Sequence, residues 1–217
     1  ADGQLARMTG QKSEIGRILD GVSGDFWFIS IYAAICLRLT PEWSYWIWIL
    51  AAVTGLCHSK QAAMADYYRN IHLFFLKGKS GSELDNYVQQ KAIYNSLSWK
   101  KDFIRKLFLW FYCDYTRSQE RLTPAFQRFF ALLQQRYGAV APQEIRDEFR
   151  RESLPLMKYT NILSFNTRVT VLFISLLINE PWLYFVFELT VLNGLLIYMI
   201  WQHERLSNKL YKEIQMS

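Results

Sequence analysis

The sequence predicts an all-α integral membrane protein: four membrane helices in two hairpins, with a helical cytoplasmic insert between them. Three observations carry this. Hydrophobic residues make up 51% of the 217 positions and aromatics 17%, yet mean hydropathy is only −0.03, so apolar spans are diluted by a polar segment. The apolar runs pair around two short polar turns, residues 38–42 and 179–181. If everything else lies on the other side, 24 of the 25 Lys and Arg residues share that side and Arg38 stands alone. The positive-inside rule makes the basic side cytoplasmic.

The elements follow in order. Residues 16–39 reach the ~20 residues of a span only if their polar start, with Asp20, sits at one interface. Arg38, Thr40, Pro41 and Glu42 read as a tight turn on the far side. The chain returns through Trp43–Cys57, where Trp43, Tyr45, Trp46 and Trp48 have the character of an interfacial aromatic belt. The next breaker is Gly78, so this helix is expected to run beyond the membrane. Ser82, followed by Glu83 and Asp85, reads as a helix start. Phe103, Leu107, Trp110 and Phe111 fit helical spacing, as do Phe126, Phe129, Phe130 and Leu133 after a Thr123-Pro124 start. Gly138 ends that helix, Pro142 opens another and Pro155 closes it. Val169–Ile178 is a dense apolar run, and Asn179, Glu180 and Pro181 form the second turn. Trp182–Trp201 is interrupted only by Glu188, Thr190 and Asn193, and a basic amphipathic tail follows. The organisation expected is 1–77 (motif and first hairpin), 78–160 (insert) and 161–217 (second hairpin and tail).

The net charge of +6 and the pI near 9.2 fit nucleic acid, an anionic membrane surface or phosphate-bearing substrates in principle. Because the membrane topology absorbs the basic residues, no nucleic-acid partner is expected. Cys36, Cys57 and Cys113 lie far apart, with neither metal-ligand spacing nor a disulfide framework.

The chemistry concentrates at the start. Asp2 and Asp20 bracket a polar, glycine-marked stretch that leads into the apolar run from Phe26. Carboxylates at a membrane edge are costly and generally hold a metal or a charged ligand. The spacing Asp2-Gly3, Ala6-Arg7, Gly16, Asp20 resembles the CDP-alcohol phosphatidyltransferase signature, D-x2-D-G-x2-A-R-x8-G-x3-D-x3-D, at six fixed positions within about 25 residues. The resemblance implies a six-helix membrane fold, with two helices and the first Asp, three residues before Asp2, expected upstream of Ala1. It implies transfer of a phospho-substituted alcohol from a CDP-alcohol to a hydroxyl acceptor with release of CMP. It also implies Mg²⁺ or Mn²⁺ on Asp2, Asp20 and, in the place of the final Asp, Asp25, with Asp20 and Asp25 catalytic, CDP bound at Gly3, Ala6, Arg7 and Gly16, and a homodimer. CDP-diacylglycerol is the favoured donor, and the site opens to the cytoplasmic side of the inner or plasma membrane.

The physics suits that reaction. Hard divalent cations prefer oxygen ligands and bridge phosphates. Gly3 and Ala6 allow a nucleotide close to the backbone, and Arg7 suits a phosphate or a carboxylate. The departure is at the end of the motif, where Gly24 holds the final Asp's position and Asp25 follows. On a regular helix Asp20 and Asp25 lie about 140° apart. Asp25 is the candidate base if a π-bulge near Gly21–Gly24 absorbs the extra residue. His58, Asp66 and Arg168 are candidates for an acceptor pocket, against a solvated helix extension for the first two and a snorkelling interfacial arginine for the third. Glu188 and Asn193 face a cavity or the bundle. The aromatic-basic segment Trp99–Phe111 lies in the membrane interface or packs on the bundle. The competing functions are a catalytically impaired CDP-lipid-binding protein and a non-enzymatic transporter or scaffold.

Overall fold

The structure, a computed structural model, describes residues 14–78, 84–138 and 140–216, with backbone alone for residues 14–23 and Asp25. The described residues are helical throughout, without strands. In chain order the helices are α1 (Glu14–Trp43), α2 (Trp46–Lys77), α3 (Tyr87–Ser96), α4 (Phe103–Leu122), α5 (Pro124–Tyr137), α6 (Gln143–Ser153), α7 (Met157–Ile162), α8 (Phe165–Leu177), α9 (Trp182–Phe187) and α10 (Asn193–Met216). A short 3-10 turn, Leu154–Leu156, joins α6 to α7, and a π-helical turn, Glu188–Leu192, joins α9 to α10.

The stretches Gln143–Leu177 and Trp182–Met216 each hold a window apolar enough to cross a membrane, with mean hydropathy 1.3 and 1.8. Only 28% and 33% of these windows is buried, whereas a core helix of the same composition would be mostly buried. Their apolar surface therefore faces outward. Two such stretches, rather than four, meet this measure among the described residues. The continuous apolar runs of the first hairpin, 26–37 and 46–57, are each about 18 Å long, short of the ~30 Å hydrocarbon core without their polar flanks.

Both hairpins form, and their turns lie at one end of the molecule. Arg38 Nη2 donates to Asn179 Oδ1, and the Trp43 and Trp182 rings lie 5.4 Å apart. The first turn falls later than the sequence predicts. Helix α1 continues through Pro41 to Trp43, and the reversal occurs at Ser44, where φ is 56°. A proline in the last turn removes one N–H bond. The Thr40 hydroxyl, donating to the Cys36 carbonyl at 2.6 Å, adds a local bond there. The second turn falls at Asn179 as expected, with φ 64°, a conformation that asparagine tolerates.

Two cores stack along the bundle. The first, near the turns, joins Phe28, Tyr32, Cys36 and Leu39 of α1 to Ile47 and Ala51 of α2, Leu172 of α8 and Tyr184 and Phe185 of α9. The second joins the far half of α2 to α5, α6 and α10 through Tyr68, Phe75, Phe126, Phe129, Phe149 and Met199. The Phe75 and Phe149 rings stack at 4.0 Å. Helix α5 starts after Thr123 as predicted, but its free N–H groups at Ala125 and Phe126 are accepted by Glu204 of α10, at 2.6 and 3.1 Å. Gly138 ends α5 at φ 72°, and α6 follows Pro142. Helix α3 starts at Tyr87, capped by the Asn86 side chain accepting from Val88 N, later than the Ser82 start predicted; Ser82 itself lies outside the described residues.

Candidate functional site

Asp2, Gly3, Ala6 and Arg7 lie outside the described residues, as do the side chains of Asp20 and Asp25. The backbone nevertheless bears on the motif. Gly16 and Asp20 fall in the first two turns of α1, which leads directly into the apolar hairpin. Through Gly21–Gly24 the helix is α-helical without interruption, so the expected π-bulge is not there. The peptide N–H to carbonyl ladder simply continues past both glycines. Asp25 thus keeps its register about 140° from Asp20. It shares the register of Phe28 and Tyr32, at i+3 and i+7, the strip of α1 that packs on the bundle.

The irregular turn occurs elsewhere, at Glu188–Leu192, and a buried polar cluster is built on it. Glu188 is fully buried in an otherwise apolar run, and Arg168, in the first turn of α8, is 1% exposed. Arg168 Nη1 donates to Glu188 Oε1 at 2.5 Å. The Tyr184 hydroxyl donates to the same oxygen at 2.6 Å, and the Tyr32 hydroxyl donates to Oε2. A carboxylate that takes three donors this way is acting as an ionised acceptor. An ion pair in an apolar setting survives only when its remaining hydrogen-bonding capacity is met.

His58 completes the cluster. Arg168 Nη1 lies 2.8 Å from His58 Nδ1, and a guanidinium can only donate, so Nδ1 accepts and the proton sits on Nε2. The 3.3 Å approach of His58 Nδ1 to Glu188 Oε1 is then a contact between two acceptors. Phe28 packs over the imidazole, with ring centres 4.2 Å apart. Gln61 ties the helices together. Its Oε1 accepts from Arg168 Nη2 at 2.8 Å, and its Nε2 donates to the Glu188 carbonyl at 3.0 Å and to Asn193 Oδ1 at 2.7 Å. The carbonyl it takes lies at the π turn, where the regular helix ladder is broken. Arg168 Nε donates to the Leu163 carbonyl at 3.3 Å, so four of its five N–H groups are engaged within the protein.

The structure thus joins two of the three acceptor-pocket candidates, His58 and Arg168, and leaves the third apart. Asp66 is exposed on α2 and accepts from the Tyr115 hydroxyl and from Asn70 Nδ2, both at 3.2 Å. Burial, and then the Asp66 carboxylate beside it, push the Tyr115 hydroxyl upward from its ordinary range. Arg168 neither snorkels nor presents its guanidinium to a lipid phosphate, because Glu188, Gln61 and His58 hold it. Tyr32, Tyr184 and Gln61 were missed in the sequence, where the tyrosines read as part of apolar runs. A usable signal was present: Arg168 lies eleven residues before the turn at Asn179 and Glu188 nine after it. An acid and a base at similar distance from one hairpin turn are natural partners.

Among the described residues no three His, Cys, Asp or Glu side chains gather as a metal site. The oxygen donors of the N-terminal motif suit Mg²⁺ or Mn²⁺ by type. The regular register of α1 sets Asp25 on another face from Asp20. No family model, curated protein or solved structure matches this chain.

Proposed function

We propose that the chain is a membrane-embedded transferase of phospholipid synthesis. It moves a phospho-substituted alcohol from a CDP-alcohol, with CDP-diacylglycerol favoured, to a hydroxyl acceptor and releases CMP. The observation that carries this reading is the set of six residues at fixed spacing, Asp2-Gly3, Ala6-Arg7, Gly16 and Asp20, leading into an apolar hairpin. Support comes from the all-helical fold, from the outward-facing apolar surface of the second hairpin, and from two hairpin turns at one end with the basic residues toward the other. In this reading α1, α2 and the stretches Gln143–Leu177 and Trp182–Met216 cross the bilayer and the motif opens to the cytoplasm.

Asp2 and Asp20 would hold the metal, with Arg7 on the diphosphate. The bound ion would neutralise the diphosphate and the leaving CMP. The acceptor oxygen attacks phosphorus, the bond from phosphorus to the CMP oxygen breaks, and the hydroxyl proton passes to a carboxylate base. The uninterrupted helix at Gly21–Gly24 favours a second reading, in which the chain binds CDP-lipid but transfers poorly, because Asp25 stands on a different face from Asp20.

The test is CMP release by the purified, reconstituted protein with Mg²⁺ or Mn²⁺, across a panel of CDP-alcohols and acceptors. Transfer predicts CMP release that Asp20→Asn lowers by ~100-fold or more, as for loss of a principal electrostatic stabiliser. Tight CDP-diacylglycerol binding without CMP release identifies the second reading. Metal and nucleotide binding unchanged in both Asp2→Asn and Asp20→Asn would sink both, leaving a transporter or scaffold.

A further inference from the structure

Helix α4 carries two apolar faces. One is buried in the protein through Leu109, Cys113 and Thr116, with Gln119 donating to the Ala63 carbonyl at 2.8 Å. The other, Phe103, Ile104, Trp110 and Phe111, stands 51–68% exposed. The exposed residues recur at i, i+1, i+7 and i+8, a single stripe confined to the first half of the helix. Beyond Phe111 the same face turns polar, with Asp114, Arg117, Ser118 and Arg121. Isolated exposed apolar residues need no explanation, but a contiguous aromatic stripe marks an interaction surface.

Its level along the bundle identifies the partner. Helix α4 meets α2 at Lys60, Ala63 and Asp66, through Ser118, Gln119 and Tyr115. Those α2 positions lie 15 to 21 residues from the turn at Tyr45, or about 22–32 Å at 1.5 Å per residue. A hydrocarbon core is about 30 Å thick, so the part of α4 that meets α2, residues 115–119, sits where the core gives way to headgroups. Phe26 and Trp27 of α1, exposed at 68% and 67%, lie at the same level, about 25 Å from the turn. The charge around the stripe fits an anionic layer. Residues 87–111 hold five cations against the single anion Asp102; Lys91, Lys100, Lys101 and Arg105 are open to solvent in part or whole, while Lys106 is buried with its Nζ donating to the Leu97 carbonyl. Cationic flanks beside a Trp and Phe face are the pattern of a helix lying in the interfacial plane.

We propose that α4 is an interfacial helix: its Phe103–Phe111 stripe lies in the headgroup layer of the leaflet away from the two hairpin turns and engages anionic phospholipid. The inference rests on the membrane reading of the two hairpins and is independent of the transferase chemistry. The helix extends the protein's lipid contact sideways from the first hairpin, at the level where α1 begins its apolar run.

The full chain is reconstituted in nanodiscs of phosphatidylglycerol and phosphatidylcholine that contain a photoactivatable phospholipid, and the lipid adducts are mapped by mass spectrometry. Adducts are expected on residues 99–111 as well as on 173–177 of α8. Trp110→Ser with Phe111→Ser lowers the 99–111 yield several-fold and leaves 173–177 unchanged. Lys100→Gln with Lys101→Gln, both exposed and remote from the packed face, lowers it in anionic discs alone. Adducts on 173–177 with none on 99–111 would overturn the proposal. Cross-links joining the 99–111 segments of two copies, without lipid adducts, would overturn it in favour of a dimer face. Equal 99–111 yields in discs of pure phosphatidylcholine would overturn the preference for anionic lipid. Failure of both segments to label would remove the membrane reading itself.

Discussion

Arg168 and Glu188 sit 1% and 0% exposed, 2.5 Å apart, and neither has water to fall back on. Removing one partner strands the other, at a cost of about 3–5 kcal/mol, whereas removing both can be nearly neutral. Arg168→Met and Glu188→Met are each expected to lower the unfolding temperature in detergent markedly, and the double variant to lose less than the two losses summed, the remainder reflecting the Tyr32 and Tyr184 hydroxyls that Glu188 also accepts. Equal and additive losses would show that the two residues act separately. His72 makes stability depend on pH from outside the spans. Its Nδ1 lies 2.7 Å from Ser153 Oγ, and burial, then the Arg150 guanidinium, hold its pKa below the ordinary 6.5. The folded chain therefore keeps His72 neutral where the unfolded chain already takes a proton. That contribution to stability is present above pH 6.5 and is lost as pH falls below it. Comparing unfolding at pH 7.5 and pH 5.5, His72→Gln should narrow the difference seen in the parent.

At the scale of elements, helix ends and turns were the least legible features. Thr123-Pro124 announced α5, yet the groups that satisfy its N-terminus come from Glu204, 79 residues further along the chain. Glu204→Ala should destabilise by about 0.5–2 kcal/mol, the range for losing an N-terminal acceptor, read as a lower midpoint in chemical denaturation. An unchanged midpoint would mean that solvent caps α5 equally well. A helix irregularity at Gly21–Gly24 is what a base role for Asp25 requires; the irregularity occurs instead at Glu188–Leu192, where Gln61 and Asn193 supply side-chain partners to the broken ladder. Glycine makes a distortion possible, but hydrogen-bond partners from another helix decide whether it is worth forming.

At the scale of the molecule, the Arg38–Asn179 and Trp43–Trp182 contacts gather both hairpin turns at one end, and the charged insert packs toward the other. In oriented vesicles, cysteines placed at Ser44 and Asn179 should react with an impermeant thiol reagent from one side, and a cysteine at Lys101 from the other. Labelling of all three from one side would exclude the two-hairpin topology. The aromatic stripe shows how far sequence reaches. Phe103, Leu107, Trp110 and Phe111 announced a helix by their spacing, and α4 forms there. Spacing alone left both the membrane and the bundle open, because both attract the same side chains.

By itself the sequence determined the all-helical fold, both hairpins, the breaks at Thr123-Pro124, Gly138 and Asn179, and the spaced acids and glycines at the N-terminus. These follow from local rules: apolar periodicity, turn-forming residues and the cost of charge in an apolar run. The tertiary structure alone decided that Arg168, Glu188, His58 and Gln61 form one buried cluster, that Asp66 stands outside it, and that α4 turns its aromatic stripe outward. Hydrogen-bond partners 107 to 127 residues apart are chosen by how helices cross, and no local pattern encodes a crossing.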